Sequence, residues 1–368
     1  MTTENTRFIM LGGFLGAGKT TTIARLARRF QEQGKRVVIV TNDQATDLVD
    51  TNLLRSQGFE VGEVAGSCFC CNFDELTGTV ERLGTDCRPD IILAEPVGSC
   101  TDLVATVIRP LEQLYEQPFD IAPYGVIVKP SHGAKILRRS GQGGFSPQAE
   151  YIFRKQIEEA DFVILNRIDE LPAAELDELS RLLDEQFPGR PIVRMSAKTG
   201  AGFDSFCEML DQRGEFGQRM MDVDYDVYAA GEADLGWLNS QVTLEAAQPF
   251  DLDDALMHLV TSLKTRLAQV SAETAHLKVI GMWESSHAVV NLVSSSSEPT
   301  LSTASGCRTS RAKLVVNARV AVDPQWLTES VRETLVDVAE RIGGTVDIGT
   351  LQSFRPGRPV PTHRLLQN

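Results

Sequence analysis

The sequence lacks several features that mark the more easily assigned classes of protein. No run of about 20 consecutive apolar residues occurs, so no membrane span is predicted. Basic residues are in the minority: 36 Lys and Arg stand against 50 Asp and Glu, for a formal net charge of −14. Because a protein that binds nucleic acid regardless of base sequence needs a basic face, this charge balance argues against that class.

Cysteine pairing and secretion signals are also lacking. The seven cysteines are an odd number, which does not suggest a disulfide framework. The first residues do not form a charged segment followed by a signal-like apolar core, so we expect a cytoplasmic protein. The five histidines have no recognisable ligand spacing and are interpreted as structural or surface residues.

A glycine-rich stretch at residues 13–20, GFLGAGKT, fits the phosphate-loop pattern G-x-x-x-x-G-K-[ST]. The apolar run 8–11 before it predicts a buried strand, and residues 20–30 after it have helical periodicity. Strand, loop and helix N-terminus together form an anion site. Lys19 is expected at the outer phosphates and Thr20 on Mg²⁺. The predicted phosphate-binding residues are Gly13, Gly16, Ala17, Gly18, Lys19, Thr20 and Thr21.

Apolar runs alternate with helical segments through the first half of the chain. We predict strands at 8–11, 37–40, 91–94, 125–128, 162–165 and 191–195. Such βαβ alternation predicts an α/β fold of the P-loop NTPase kind, with a doubly wound, mainly parallel sheet. Ligands of such sheets bind at the carboxyl ends of the strands.

A change in composition divides the chain. We predict a nucleotide-binding domain at 1–215, a linker at 216–240 and a smaller α/β domain with an antiparallel or mixed sheet at 241–368. The acidic residues of the linker are interpreted as a solvated connector rather than a cation site. The tail at 354–364, rich in Pro and Arg, is predicted to be irregular.

Two short motifs after predicted strands indicate guanine recognition. Asn166-Arg167-Ile168-Asp169 resembles N-K-x-D, in which the Asp169 carboxylate accepts two hydrogen bonds that only guanine can donate. Asn166 is expected to tie this loop to the phosphate loop. Residues 196–198 resemble the S-A-K loop, with the Ala197 N–H near guanine O6. The base-binding residues are therefore Asn166, Asp169, Ser196, Ala197 and Lys198.

Two carboxylates at strand ends are candidates for hydrolysis. Glu95, after the strand 91–94, can order Mg²⁺ or the attacking water, and Gly98 can sense the γ-phosphate. Asp43, after the strand 37–40, is the other carboxylate placed to reach the metal. The sequence does not rank the two. Lys19, Thr20, Asp43 and Glu95 are thus the predicted catalytic residues.

Three thiols within four residues, Cys68, Cys70 and Cys71, form a candidate transition-metal site. Thiolates favour Zn²⁺, Cu(I) and related ions, and Co²⁺ and Ni²⁺ are also admitted. Asn72 and Glu75 fit a capping box. A helix beginning there is expected to lower the thiol pKa values. The alternatives are three buried structural cysteines and a redox C-x-C motif.

This sequence resembles the CobW-like metal-chaperone GTPases, because five motifs occur in the order found in that family. They are the phosphate loop, C-x-C-C, E-x-x-G, N-[KR]-x-D and S-A-K. The CobW-like proteins are relatives of the nickel-insertion GTPases of urease and hydrogenase maturation. The resemblance is specific over 7–213 and weaker over 241–353. It departs from the family at residues 42–46, at Glu95 to Gly98 and at Arg167, so the switch segments are atypical.

The resemblance implies a GTPase that uses GTP and Mg²⁺ and delivers Zn²⁺, Co²⁺ or Ni²⁺ to a client protein or a cofactor pathway such as cobalamin-related metabolism. A homodimer is compatible with this interpretation, and neither nucleic acid nor membrane is expected as a partner. Two alternatives stay open at this point. One is a P-loop ATPase or small-molecule kinase, and the other is a non-catalytic zinc-storage or scaffold protein.

Overall fold

The computed structural model describes residues 5–43, 49–85, 87–115, 119–138 and 145–366. The chain divides into two compact units. The first contains residues 1–44, 58–231 and 358–368, and the second contains residues 45–57 and 232–357.

The first unit is built on an eight-stranded sheet in the order β3-β2-β4-β1-β6-β7-β8, with β5 beside β1. All its strand pairs are parallel. Its strands are β1 (Arg7–Gly13), β2 (Val37–Asp43), β3 (Glu60–Ala65), β4 (Ile91–Glu95), β5 (Asp120–Ile121), β6 (Gly125–Val128), β7 (Phe162–Leu165) and β8 (Ile192–Arg194).

Helices connect these strands. In chain order they are α1 (Lys19–Glu32), α2 (Val49–Ser56), α3 (Phe73–Gly84), a π-helical turn (Val104–Ile108) continuing into α4 (Arg109–Gln113), α5 (Pro130–Leu137), α6 (Pro147–Glu159), a 3₁₀ turn (Ile168–Glu170), α7 (Ala173–Gln186), α8 (Phe203–Leu210) and α9 (Tyr225–Ala233). Of these, α2 belongs to the second unit.

The parallel sheet confirms the predicted α/β class. Every residue of β1, β4, β6 and β7 is buried, as expected for strands covered on both faces. All six strands predicted in this half of the chain are present. β3 escaped prediction because its sequence, EVGEVA, carries two glutamates and a glycine and lies at the edge of the sheet.

The second unit is a six-stranded antiparallel sheet in the order β12-β11-β10-β13-β9-β14. Its core contains the apolar faces of two long helices. Its elements are β9 (Gly236–Asp251), α10 (Leu252–Gln269), β10 (Thr274–Trp283), β11 (Ser286–Leu292), β12 (Thr300–Thr303), β13 (Arg308–Val320), α11 (Pro324–Arg341) and β14 (Gly344–Phe354).

α2 contributes to the second unit although it stands between β2 and β3 in sequence. Leu53 packs on a small cluster of Ile280, Val289 and Val315, and Asp50 pairs with Lys278. Of the atypical segment 42–46, Gln44, Ala45 and Thr46 lie outside the described residues.

The structure divides the chain differently from the domain limits expected from composition. The segment 216–240, predicted to be a linker, contains α9 and the start of β9. The tail from residue 358 onward groups with the first unit. In the described part of the chain, no helix is both long enough and apolar enough to cross a membrane.

Candidate nucleotide and metal site

The phosphate loop connects β1 to α1 through glycines in left-handed conformations. Gly16 and Gly18 have φ values of 71° and 98°. A Cβ on Gly18 would lie 2.5 Å from Asn166 Nδ2 and would clash with it. Both this close approach and the left-handed φ therefore require glycine at this position. The Lys19 ammonium is buried and donates to Gly13 O over 2.8 Å.

Glu95 meets the phosphate loop at the end of β4. The Thr20 hydroxyl donates to Glu95 Oε1 over 2.9 Å, and both side chains are buried. A Cβ on Gly98 would lie 3.0 Å from Lys19 Nζ, so the loop after β4 lies directly against the lysine. Asp43 is the last residue of the neighbouring strand β2. In the parallel register of β2 and β4, Glu95 lies opposite Thr41, two residues before Asp43. The structure therefore brings Lys19, Thr20, Glu95 and Gly98 together, with Asp43 at the next strand end.

Asn166 joins the phosphate loop to the S-A-K loop. Its Nδ2 donates to Ala17 O, and its Oδ1 accepts from the Ala197 N–H, each over 2.9 Å. The predicted contact with the phosphate loop is present. The Ala197 N–H, predicted to face guanine O6, is engaged by Asn166 instead.

The other predicted base-binding residues lie around this junction. Asp169 is exposed, and Arg167 has a left-handed φ of 59° and pairs with Glu170 over 2.7 Å. Lys198 is exposed, whereas Ser196 is buried and accepts from the Thr199 N–H. Thr21 is exposed on the first turn of α1.

Arg25 is a positioning residue that the sequence analysis did not find. From α1 its guanidinium donates to Ala197 O over 2.8 Å and to Lys198 O over 3.0 Å, which holds the S-A-K loop against the helix that follows the phosphate loop. No local pattern marks this arginine, because its partners are more than 170 residues away in sequence.

The three thiols of the C-x-C-C motif form one compact cluster in the turn between β3 and α3. The Sγ–Sγ distances are 2.9 Å for Cys68–Cys70, 3.1 Å for Cys68–Cys71 and 3.7 Å for Cys70–Cys71. Cys68 and Cys70 are buried and Cys71 is half-buried. A triangle of this size can hold one ion at the usual Zn–S distance of about 2.3 Å from each sulfur. The donor set therefore fits a thiophilic metal ion.

Asn42, at the end of β2, holds the cysteine turn in place. Its Nδ2 donates to Val64 O over 2.8 Å and to Ser67 O over 2.7 Å, and its Oδ1 accepts from the Phe69 N–H over 2.8 Å. The sequence analysis singled out this segment for its carboxylate, Asp43. The amide beside it proves to connect the strand that carries Asp43 with the turn that carries the thiols.

Two local predictions about the cysteine turn are wrong. Asn72 is the N-cap of α3, but its side chain makes no capping hydrogen bond, and the Glu75 carboxylate accepts from Thr79 and Arg82. The pKa values of the Cys70 and Cys71 thiols are raised rather than lowered. Hydrogen bonds to the thiols of Cys100, Cys68 and Cys71, together with burial, raise the pKa of Cys70 well above its usual value. A hydrogen bond to Cys68 is the main cause that raises the pKa of Cys71 to about 11.

The C-terminal tail lies along the cysteine turn. The Val360 N–H donates to Cys71 Sγ over 3.3 Å, and the Thr362 N–H donates to Cys70 O over 2.8 Å. His363 packs edge-on against Phe73 with ring centroids 5.2 Å apart. The Arg364 guanidinium pairs with the buried Asp102 over 2.6 Å. The tail is irregular, as predicted, yet it makes specific contacts.

A known family of nucleotide-binding domains matches the first half of this chain. The model of the CobW/HypB/UreG nucleotide-binding domain matches residues 7–194. The zinc chaperone CobW of Sinorhizobium sp is 26% identical over 216 residues, which are 52% of this chain and 58% of that protein. The zinc chaperone YeiR of Escherichia coli is 28% identical over 174 residues, 45% of this chain and 47% of that protein. The match thus spans about half the length of these relatives.

Among solved structures, the Zn(II)-bound YjiA GTPase from E. coli covers 90% of this chain and 99% of its own, at 13% identity and a TM-score of 0.37. A similarity at that level supports no conclusion about activity. The family model is different, because it matches more than half of the chain and includes the phosphate loop, the cysteine turn and the N-[KR]-x-D segment. The chain belongs to the CobW/HypB/UreG nucleotide-binding family.

Proposed function

We propose that this protein is a GTP-hydrolysing metallochaperone, which binds a transition-metal ion at Cys68, Cys70 and Cys71 and releases it to a client protein. The observation that carries the proposal is the bridge made by Asn42. Two of its hydrogen bonds join the end of β2, beside Asp43, to the turn that holds the thiols, and a third goes to Val64 O of β3. A change at the nucleotide site can thus reach the metal site through one strand end.

The phosphate loop supplies the chemistry of GTP binding. Its N–H groups and the N-terminus of α1 receive the phosphates, and Lys19 neutralises charge on the outer ones. The Thr20 hydroxyl and the carboxylates of Glu95 and Asp43 are the residues that would hold Mg²⁺, which stabilises the charge that develops on the phosphate oxygens. Gly98, packed on Lys19, is placed to respond to the presence of the γ-phosphate.

Metal and nucleotide then influence each other. GTP·Mg²⁺ would order the segments that carry Asp43 and Glu95, and hydrolysis would relax them. By linkage, the metal affinity depends on the nucleotide state to the same degree as the nucleotide affinity depends on the metal. The zinc chaperone names of CobW and YeiR support Zn²⁺ as the first ion to test.

The test of coupling measures Zn²⁺ and Co²⁺ affinities in the presence of a GTP analogue, GDP or no nucleotide. We expect the affinities to differ between the three states, whereas equal affinities would refute the coupling. Sedimentation equilibrium in the same states establishes whether the protein forms a homodimer.

The test of base specificity compares GTP with ATP for the wild type and for Asp169→Asn. We expect the variant to lose GTP affinity and to leave the weak ATP affinity unchanged. The matched control is Asp184→Asn, the same chemical change at an exposed site on α7. A wild-type preference for ATP would favour the ATPase or kinase alternative.

A further inference from the structure

Cys100 lies outside the C-x-C-C motif, but its thiol contacts a cysteine of that motif, Cys70. It lies five residues after Glu95, on the segment that carries Gly98, and is 1% exposed. Its side chain is hydrogen bonded to that of Cys70, which is also 1% exposed. The sulfur of Cys100, from a different part of the chain, therefore adjoins one thiol of the cysteine turn, that of Cys70, whereas the sulfurs that lie within 4.8 Å of one another are those of Cys68, Cys70 and Cys71.

The segment between Glu95 and Cys100 is held as one unit. The Cys100 N–H donates to Val97 O over 3.0 Å. The buried amide of Gln156 donates to Gly98 O over 3.0 Å and to Cys100 O over 2.8 Å. One side chain thus fixes both the glycine that packs on Lys19 and the residue that carries the fourth thiol.

Three thiolates leave one position of a tetrahedral Zn²⁺ or Co²⁺ ion unfilled. A fourth thiolate closes the site, whereas a water or partner ligand leaves it open. We propose that Cys100 is the fourth sulfur ligand of the metal cargo, so that the site is completed by the segment that follows Gly98. This inference rests on the proposed function, since it presupposes that Cys68, Cys70 and Cys71 bind a metal ion.

The placement of Cys100 gives the nucleotide a direct means of changing the metal site. Cys68, Cys70 and Cys71 come from the turn after β3, while Cys100 comes from the segment after β4, which lies against the phosphate loop. In the structure Cys100 adjoins the cluster through Cys70. A movement of Gly98 carries Cys100 with it through Gln156, and this adds or withdraws one sulfur ligand.

The test counts sulfur ligands on the full-length protein. Co²⁺ is bound to the reduced wild type and to Cys100→Ser in the presence of a GTP analogue, GDP or no nucleotide, and the thiolate-to-cobalt charge-transfer absorption per bound ion is measured. X-ray absorption of the Zn²⁺ forms counts the sulfurs independently. The matched control is Cys207→Ser, because Cys207 is another buried free thiol, on α8.

We expect four sulfurs in the wild type in at least one nucleotide state. In Cys100→Ser the charge-transfer intensity of that state falls by about one quarter, and Cys207→Ser keeps the wild-type value. Three sulfurs in every wild-type state, or an unchanged spectrum in Cys100→Ser, would overturn the inference. So would a Cys70–Cys100 disulfide that persists under reducing conditions, detected by mass spectrometry of the wild type.

Two further measurements separate the possible failures. Far-UV circular dichroism establishes that Cys100→Ser folds, and Cys100→Ala replaces it if it does not. A variant with Cys68, Cys70 and Cys71 all changed to Ser tests the proposed function itself. If this triple variant binds Co²⁺ as tightly as the wild type, the proposed function fails. If it loses Co²⁺ while the wild type has three sulfurs, only the role of Cys100 fails.

Discussion

The hydroxyl of Thr20 donates a hydrogen bond to the carboxylate of Glu95 over 2.9 Å, which joins the phosphate loop to the end of β4. Thr20 is the phosphate-loop residue expected to bind Mg²⁺, and Glu95 opens the segment that runs through Gly98 to Cys100. The contact thus lies where the Mg²⁺ of the proposed GTP·Mg²⁺ complex would meet the segment that we expect to respond to it.

Removing the Glu95 charge should slow GTP hydrolysis more than it weakens nucleotide binding. We expect Glu95→Gln to lower kcat roughly 100-fold, because the carboxylate acts on Mg²⁺ or on the attacking water, while GDP affinity changes little. Steady-state phosphate release and GDP titration measure the two effects. Glu185→Gln, on the exposed face of α7, is the control. An unchanged kcat in Glu95→Gln would shift the role to Asp43.

Changing Asn42 to Asp should weaken metal binding without removing a thiol. The carboxylate can still accept from the Phe69 N–H, but it cannot donate to Ser67 O in the cysteine turn or to Val64 O in β3, so the turn keeps only one of its two hydrogen bonds with this side chain. We expect Zn²⁺ affinity to fall about 10-fold or more, as for other residues that orient metal ligands. Competition with a chromophoric chelator measures it.

The control for this substitution is Asn291→Asp, on β11 in the second unit. Its amide donates to Ser302 Oγ on β12 of the same unit. Equal Zn²⁺ affinities in Asn42→Asp and the wild type would show that the cysteine turn keeps its shape without the hydrogen bonds that the Asn42 amide donates.

Removal of the C-terminal tail should speed the exchange of bound metal. A chain ending at Gly357 loses the Val360 N–H on Cys71 Sγ, the Thr362 contacts and the Arg364–Asp102 ion pair. We expect Zn²⁺ transfer to a chelator to become roughly 10-fold faster. A chain ending at Leu365 keeps these contacts and serves as the control. The same transfer rate in both truncated chains would contradict a protective role for the tail.

Glu159 should make the protein less stable as the pH rises. Its carboxyl group is fully buried, and burial raises its pKa well above the ordinary value of 4.5. Above about pH 4.5 the unfolded chain therefore binds fewer protons at this residue than the folded chain, and the free energy of unfolding falls with increasing pH until the raised folded pKa is passed. The slope from this group is at most about 1.4 kcal/mol per pH unit.

Glu159→Gln removes this titration. The amide oxygen can still accept from the Val104 N–H, which lies 3.0 Å from the wild-type carboxylate. We expect the variant to be more stable than the wild type at neutral pH and to lose the advantage near pH 4. Urea unfolding at a series of pH values measures the difference, with Glu185→Gln again as control. A constant difference between variant and wild type at all pH values would contradict the interpretation.

Much of the nucleotide site could be predicted from sequence because its determinants are local. Residues 13–20 carry their own glycines, lysine and threonine, and the buried strands before and after them are read from continuous apolar runs. The N-[KR]-x-D segment, which we propose for base recognition, is likewise local and follows the buried strand β7. The prediction of a capping box at Asn72 is wrong because a short pattern does not reveal that Glu75 accepts from Arg82, which lies about two turns further along the helix.

The sequence by itself determined the α/β class, the order of the nucleotide motifs and the three thiols of the C-x-C-C motif. These depend on residue type and on spacings of a few residues. Only the tertiary structure decided which residues from other parts of the chain contact the cysteine turn. Asn42 of β2 contacts its backbone, and Cys100 after β4 and Val360 of the tail contact its thiols. They come together because adjacent parallel strands end at one edge of the sheet and because the tail returns to the first unit. No periodicity in the chain encodes contacts across such distances.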